Sequence, residues 1–254
     1  PDEIEGDLLQ YSSGTTGRPK GIKRPLTEPS ILVPNPLLKL LCSTMCGMNE
    51  TSVYLSPAPL YHAAPLRFNM MCGALGGTSI IMESFDAETF LKLVEQHKVT
   101  QSQLVPTMFV RLLRLPDGVK AKYDLSSLRF TVHGAAPCPV EVKQAMIKWW
   151  GPVVHEYFGS TETGIPIWHS AEEALAKPGT VGRAIEGGIV KIFGPNGEPR
   201  GVNEIGEIFM RQTAIPDFDY HRKAGAREEA GREGLISVGD VGYLDEDGYL
   251  FLCD

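Results

Sequence analysis

Near the start of the chain, Tyr11-Ser12-Ser13-Gly14-Thr15-Thr16-Gly17-Arg18-Pro19-Lys20-Gly21 gathers hydroxyls, glycines and basic side chains more densely than any other stretch. Residues of these types at this spacing can grip phosphate. Gly14, Gly17 and Gly21 permit backbone conformations barred to other residues and bring N–H groups close to an anion. Ser12, Ser13, Thr15 and Thr16 add hydroxyl donors, while Arg18 and Lys20 supply positive charge. The short, partly apolar Asp7-Leu8-Leu9-Gln10-Tyr11 predicts a strand that empties into the loop, where α/β proteins place ligands. A plain Ser/Gly-rich turn needs neither four hydroxyls nor a Pro-Lys-Gly ending. The G-x-x-x-x-G-K-[ST] loop of nucleotide triphosphatases does not fit, because Gly14 and Gly17 are too close and Lys20 is followed by Gly21.

A second stretch, Tyr157-Phe158-Gly159-Ser160-Thr161-Glu162-Thr163-Gly164, follows a predicted strand and holds one acid. Alone, a solvated glutamate there would be unremarkable. A triphosphate site needs Mg²⁺, a hard ion that takes oxygen ligands and often only one or two protein carboxylates, and Glu162 is the candidate.

The first stretch resembles the signature loop of the adenylate-forming superfamily, which includes acyl-CoA synthetases, luciferases and nonribosomal peptide adenylation domains. Tyr157, Gly159, Thr161 and Glu162 resemble its second signature. The resemblance implies ATP as ligand, with Ser12, Ser13, Gly14, Thr15, Thr16, Gly17 and Lys20 around its β and γ phosphates. It implies Tyr157 against adenine, Gly159 within the nucleotide site, Thr161 on the α-phosphate and Glu162 on Mg²⁺. Gly134-Ala135-Ala136 would wall the adenine pocket; three small residues after a strand let a flat ring approach, and equally make a tight strand-to-helix turn. Asp240 would hold the ribose, since a carboxylate accepts from two vicinal hydroxyls. Bare Gly239-Asp240 reads as a turn, and Leu235-Ile236-Ser237 stands where the family often carries an aromatic residue. His62 falls at the position beside the reacting carboxylate, whereas His133, at a predicted strand end, reads as structural. Phe68, Met70, Met71 and Leu75 could line an apolar tunnel or form core.

The activity implied is attack of a carboxylate on the α-phosphorus of ATP, with pyrophosphate release and then thioester formation with coenzyme A. A hydrophobic, fatty acid is expected; an aryl or sterol-side-chain acid fits equally well. Transfer to a carrier-protein thiol, luciferase-like oxidation and a non-catalytic nucleotide-binding module remain as alternatives. The resemblance runs from Asp7 to Asp254 and implies only part of a family member. The small C-terminal domain with its catalytic lysine is expected beyond Asp254.

A net charge of -7 argues against nucleic-acid or anionic-membrane binding. The basic residues Arg18, Lys20, Lys23 and Arg24 cluster beside the loop, which suits a small anion. Cys42, Cys46, Cys72, Cys138 and Cys253 lack paired metal-ligand spacing, so reduced and mostly buried thiols in a cytoplasmic protein are expected, Cys42 and Cys46 as neighbours on a helix face. No stretch is apolar enough to span a bilayer, though peripheral membrane contact stays open.

The elements that must position these residues read as α/β. Prolines 25, 29, 34 and 36 keep the chain irregular until a helix begins at 37–41, and Ser56 to Pro65 is again too proline-rich for regular structure. Strands are expected at 51–55, 78–82, 99–105, 128–132 and from Val153, with helices at 66–75, from Asp86, from Pro106 to Leu113 and from Pro139. Val142, Ala145, Met146 and Trp149 make an apolar stripe, and Trp149 and Trp150 read as packing. Such alternation implies a mostly parallel sheet covered by helices over residues 1–176. Residues 177–254 read as a β-rich, distorted-barrel subdomain of short strands, with hairpin turns at 194–197 and 245–248 and a mobile charged loop from Tyr220 to Gly234.

Overall fold

The computed structural model describes residues 8–12, 19–25 and 41–253. Ser13 to Gly17 and the expected helix start at 37–40 lie outside them. In chain order the strands and helices are β1 (Gln10–Ser12), β2 (Lys20–Lys23), β3 (Val53–Ser56), α1 (Ala63–Ala74), β4 (Thr78–Ile81), α2 (Ala87–His97), β5 (Gln101–Leu104), α3 (Pro106–Leu113), α4 (Asp117–Lys120) and β6 (Phe130–His133). There follow α5 (Val140–Trp150), β7 (Val154–Ser160), β8 (Gly164–His169), α6 (Ala171–Ala176), β9 (Thr180–Ala184), β10 (Gly188–Phe193), β11 (Gly206–Gln212), β12 (Asp219–Tyr220), α7 (Ala226–Glu229), β13 (Gly231–Arg232), β14 (Leu235–Ile236), β15 (Val241–Leu244) and β16 (Tyr249–Cys253). The chain forms two compact units, one of residues 34–156 and 170–178, the other of residues 1–33, 157–169 and 179–254.

The first unit is α/β. Its strands run β4-β3-β5-β6 and then the first half of β7, every pair parallel, as expected from strand-helix alternation. Asp86 caps α2, accepting from the Thr89 N–H at 2.8 Å, and puts Phe90, Leu91 and Val94 into the core. Pro106 opens α3, where its missing N–H costs nothing. Trp150 stacks on Phe90 and meets Phe109 edge-on, both at 5.9 Å, so the tryptophan pair is packing. Cys42 and Cys46 are buried, and the hydrogen bond that Cys46 donates to Cys42, together with burial, pushes the Cys46 thiol well above its ordinary value. The five cysteines are free thiols, with Cys138 and Cys253 half-buried.

Three expectations shift here. Helix α1 begins at Ala63, inside the stretch read as irregular, because Pro65 falls in its first turn, where a ring is tolerated. Leu41–Met45 forms a π-helical turn. On α5 the deepest face is Lys143, Met146 and Ile147, with Val142, Ala145 and Trp149 only half-buried. A lysine lies there because its ammonium pairs with the buried Glu156 carboxylate on β7.

The second unit is antiparallel β. One sheet runs β13-β14-β11-β15-β16-β9-β8, with β10 also on β11, around Ile167, Val181, Ile192, Ile208, Met210 and Leu250. The turn at 245–248 forms as expected: Asp245 Oδ1 accepts from the Asp247 and Tyr249 N–H groups, and Gly248 takes a φ of +78°. Gly194–Gly197 also turns, inside a longer link between β10 and β11. A second sheet, β1-β2-β12, is packed by Ile22, Phe218, Tyr220 and Ile236. Tyr220 to Gly234, expected as a loop, holds regular structure instead: buried Tyr220 ends β12, and α7 and β13 follow.

Two expected outcomes follow from this packing. Lys143→Met leaves the Glu156 charge without its ammonium, and urea unfolding should show a loss of about 3 kcal/mol. Asp86→Ala should cost about 1 kcal/mol at neutral pH. The Thr89 N–H holds the Asp86 carboxyl below the ordinary aspartate value, so its stabilisation is present above that value. It is lost as pH falls through the lowered one, and the gap between variant and parent should close in unfolding curves taken across that range.

Candidate active site

Thr161 and Glu162 sit in the turn between β7 and β8, whose glycines set its shape. A Cβ on Gly159 would lie 2.0 Å from the Gly164 carbonyl oxygen, and Gly164 has a φ of +73°. Ser160 and Thr163 close the turn from within. Thr163 Oγ1 accepts from the Ser160 N–H at 2.9 Å, and Ser160 Oγ accepts from the Thr163 N–H at 3.1 Å.

Arg24, just beyond β2, fixes this turn from outside. Its Nη2 donates to the carbonyls of Thr161 at 2.8 Å and Glu162 at 3.1 Å, and its Nη1 donates to Pro216. The guanidinium also lies over the Phe218 ring at 5.6 Å. Arg24 is buried, which corrects the expectation that it belongs to a basic cluster facing an anion. Sequence could not separate it from Lys20 and Lys23, since all three look like surface cations; only the fold turns Arg24 onto backbone carbonyls.

With its backbone held, the Glu162 side chain is 8% exposed. Its Oε1 accepts from Ser12 Oγ at 3.0 Å and lies 3.5 Å from the Tyr220 hydroxyl. Among the described residues no cation forms an ion pair with it. A nearly buried carboxylate bonded only by neutral hydroxyls is a hard-oxygen donor able to take Mg²⁺. Among the described residues no group of three or more His, Cys, Asp or Glu side chains gathers as a metal site.

Lys20 opens β2, and its ammonium lies 5.0 Å from the centroid of the Tyr220 ring. One unit thus brings together Ser12, Lys20, Thr161 and Glu162, as read from the sequence, and adds Arg24 and Tyr220, which that reading had not assigned to the site. A signal for Tyr220 existed in Phe218-Asp219-Tyr220, an alternation with β character at the edge of a charged run.

The other expected residues are placed as follows. Tyr157 is buried in β7, and burial pushes its phenol up to about 12. Phe158, its neighbour on the opposite face, packs half-buried against the sheet core. Asp240 is half-buried beside Gly239, which has a φ of +93°; burial raises its carboxyl and its carbonyl accepts from Ile208.

In the α/β unit, Gly134 is buried while Ala135 and Ala136 are exposed, and Ala135 holds a φ of +68°, a conformation unusual for a residue with a Cβ. His133 is fully buried, edge-on to Phe109 and 3.7 Å from Glu156, as a structural histidine. His62 precedes α1 without capping it and is exposed, its ring 4.5 Å from the 82% exposed Tyr61. Phe68 stacks on Tyr54 and Met71 is buried, so these two are core, while Met70 is exposed.

The turn's dependence on Gly159 is testable. Gly159→Ala must push the Gly164 backbone aside, and urea unfolding should show a loss of about 2 kcal/mol.

Comparison with known proteins identifies the family of the chain. Residues 7–215 match the model of the family described as AMP-binding enzyme. The 4-coumarate–CoA ligase 1 of Oryza sativa subsp. japonica is 32% identical over 261 residues, spanning 100% of this chain and 45% of the relative. The solved structure of the amide bond synthetase McbA from Marinactinospora thermotolerans superposes with a TM-score of 0.82 at 27% identity, over 96% of this chain and 48% of that one. The o-succinylbenzoate coenzyme A synthetase of Bacillus subtilis, solved with ATP and magnesium ion, superposes with a TM-score of 0.78 at 26% identity, over 99% and 51%. The chain spans about half the length of these relatives. With the family model covering most of its length, the chain belongs to the AMP-binding enzyme family.

Proposed function

We propose that the protein containing this chain activates a carboxylic acid with ATP, releasing pyrophosphate and forming an acyl-adenylate that passes to the thiol of coenzyme A. The observation that carries this reading is the Glu162 carboxylate, nearly buried, hydrogen-bonded to the Ser12 hydroxyl and free of any cationic partner among the described residues. Charge dominates such a reaction, since an anionic nucleophile must approach a polyanion. Mg²⁺ at Glu162 would supply charge neutralisation on the phosphates. Lys20 and the N–H groups of the loop from Ser12 to Gly17 would bind and orient the triphosphate, and Thr161 would contact the α-phosphate. Tyr157 and Gly134 to Ala136 would take adenine, Asp240 the ribose, Gly159 would lie within the nucleotide site, and His62 would stand beside the acid.

For the acid, we favour a hydrophobic carboxylate, aromatic or aliphatic. The relatives named above carry 4-coumarate and o-succinylbenzoate in their names, which supports an aryl acid at least as well as the fatty acid expected from the sequence. Five free thiols support a reducing, cytoplasmic setting. No helix among the described residues is long and apolar enough to cross a membrane.

The test is incubation of the protein with ATP, Mg²⁺, coenzyme A and a pool of aryl and aliphatic acids, with products read by mass spectrometry. Acyl-CoA or acyl-AMP from one acid class is expected, and Glu162→Gln should lower pyrophosphate release at least a hundredfold. ATP binding without adenylate from any acid would overturn catalysis in favour of a nucleotide-binding module. An adenylate transferred to an amine or a carrier thiol would overturn coenzyme A as the acceptor.

A further inference from the structure

Tyr220 touches both charged groups of the proposed Mg·ATP site. It is 5% exposed and held in place by β12, whose Asp219 and Tyr220 pair with Lys23 and Ile22 of β2. The face of its ring receives the Lys20 ammonium at 5.0 Å, and its hydroxyl lies 3.5 Å from Glu162 Oε1. A tyrosine hydroxyl keeps its proton at neutral pH. Toward a carboxylate it can only donate.

The chemistry of the site makes this placement consequential. An ammonium and a carboxylate free to meet would form an ion pair, and each would then be withdrawn from its ligand, phosphate in one case and metal in the other. Among the described residues no ion pair joins Lys20 to Glu162. One aromatic side chain offers a π face to the cation and a hydroxyl to the anion, two interactions that hold the charges without neutralising either.

We propose that Tyr220 is a positioning residue that keeps Lys20 and Glu162 apart, Lys20 directed to the triphosphate and Glu162 to its magnesium ion. The proposal rests on the reading of this site as one for Mg·ATP. Tyr220→Phe removes only the hydroxyl and keeps the ring that packs with Phe218 and Lys20. Tyr220→Leu removes both.

The experiment is calorimetric titration of the whole chain with ATP, with and without Mg²⁺, alongside thermal unfolding of each variant. In Tyr220→Phe, the Mg²⁺ concentration that half-saturates the gain in ATP affinity should rise about fivefold, with metal-free ATP binding and the unfolding midpoint unchanged. Tyr220→Leu should weaken metal-free binding as well, through the displaced Lys20. A Tyr220→Phe protein with the parent's Mg²⁺ dependence would overturn the proposal while leaving the Mg·ATP site standing. Loss of metal-free binding in Tyr220→Phe together with a lowered unfolding midpoint would also overturn it, reducing Tyr220 to a packing residue. A parent chain whose ATP binding ignores Mg²⁺ would overturn the site reading itself, and this proposal with it.

Discussion

The site depends on how the Glu162 carboxyl group is accommodated away from water. A carboxylate out of water is costly unless hydrogen bonds or a cation replace its hydration. Here hydroxyls of Ser12 and Tyr220 replace part of it, and both come from the small sheet β1-β2-β12. The same sheet sends Arg24 onto the carbonyls of Thr161 and Glu162, so backbone and side chain of the turn are fixed by one neighbour. Strand β1 and the residue just after β2 thus hold the turn that carries the acid. That arrangement leaves the carboxylate without an ion pair among the described residues, the condition under which we propose that it takes a metal.

The α/β unit solves a related problem differently. Lys143 and Glu156 are both buried, and each makes the other tolerable. A buried pair of this kind is weak evidence of net stabilisation, but it penalises any packing in which α5 and β7 slip past each other. The turn of Gly134 to Pro137 lies in the chain between the strand ending at His133 and α5. Its unusual Ala135 conformation lies between two elements that meet at Glu156, which pairs with Lys143 on α5 and lies 3.7 Å from His133 on β6. Strain of that sort persists only where the surroundings over-determine it.

Much of the fold was legible because it rests on local rules. Asp86 caps, Pro106 opens a helix, Asp245 to Gly248 turns a hairpin, and strand-helix alternation gives parallel pairing; each is decided within a few residues. The readings that failed share a cause. Lys143 on an inner face, Arg24 turned inward and Tyr220 in a strand are polar or charged-context residues whose burial depends on a partner distant in sequence. Periodicity and charge counting treat such residues as solvent-facing, since without the partner they would be.

The sequence by itself determined the chemistry that could occur. The hydroxyl and glycine loop, the lone acid after Thr161 and the spacing between glycines each follow from residue type and order. Only the tertiary structure decided which charges are available for it. Arg24 is committed to carbonyls, Lys20 rests on an aromatic ring, and Glu162 remains a carboxylate among hydroxyls. The reason is physical: the energy of a charge is set by the dielectric and dipoles around it, and those are assembled by contacts spanning 150 residues of chain for Glu162 and 192 for Arg24.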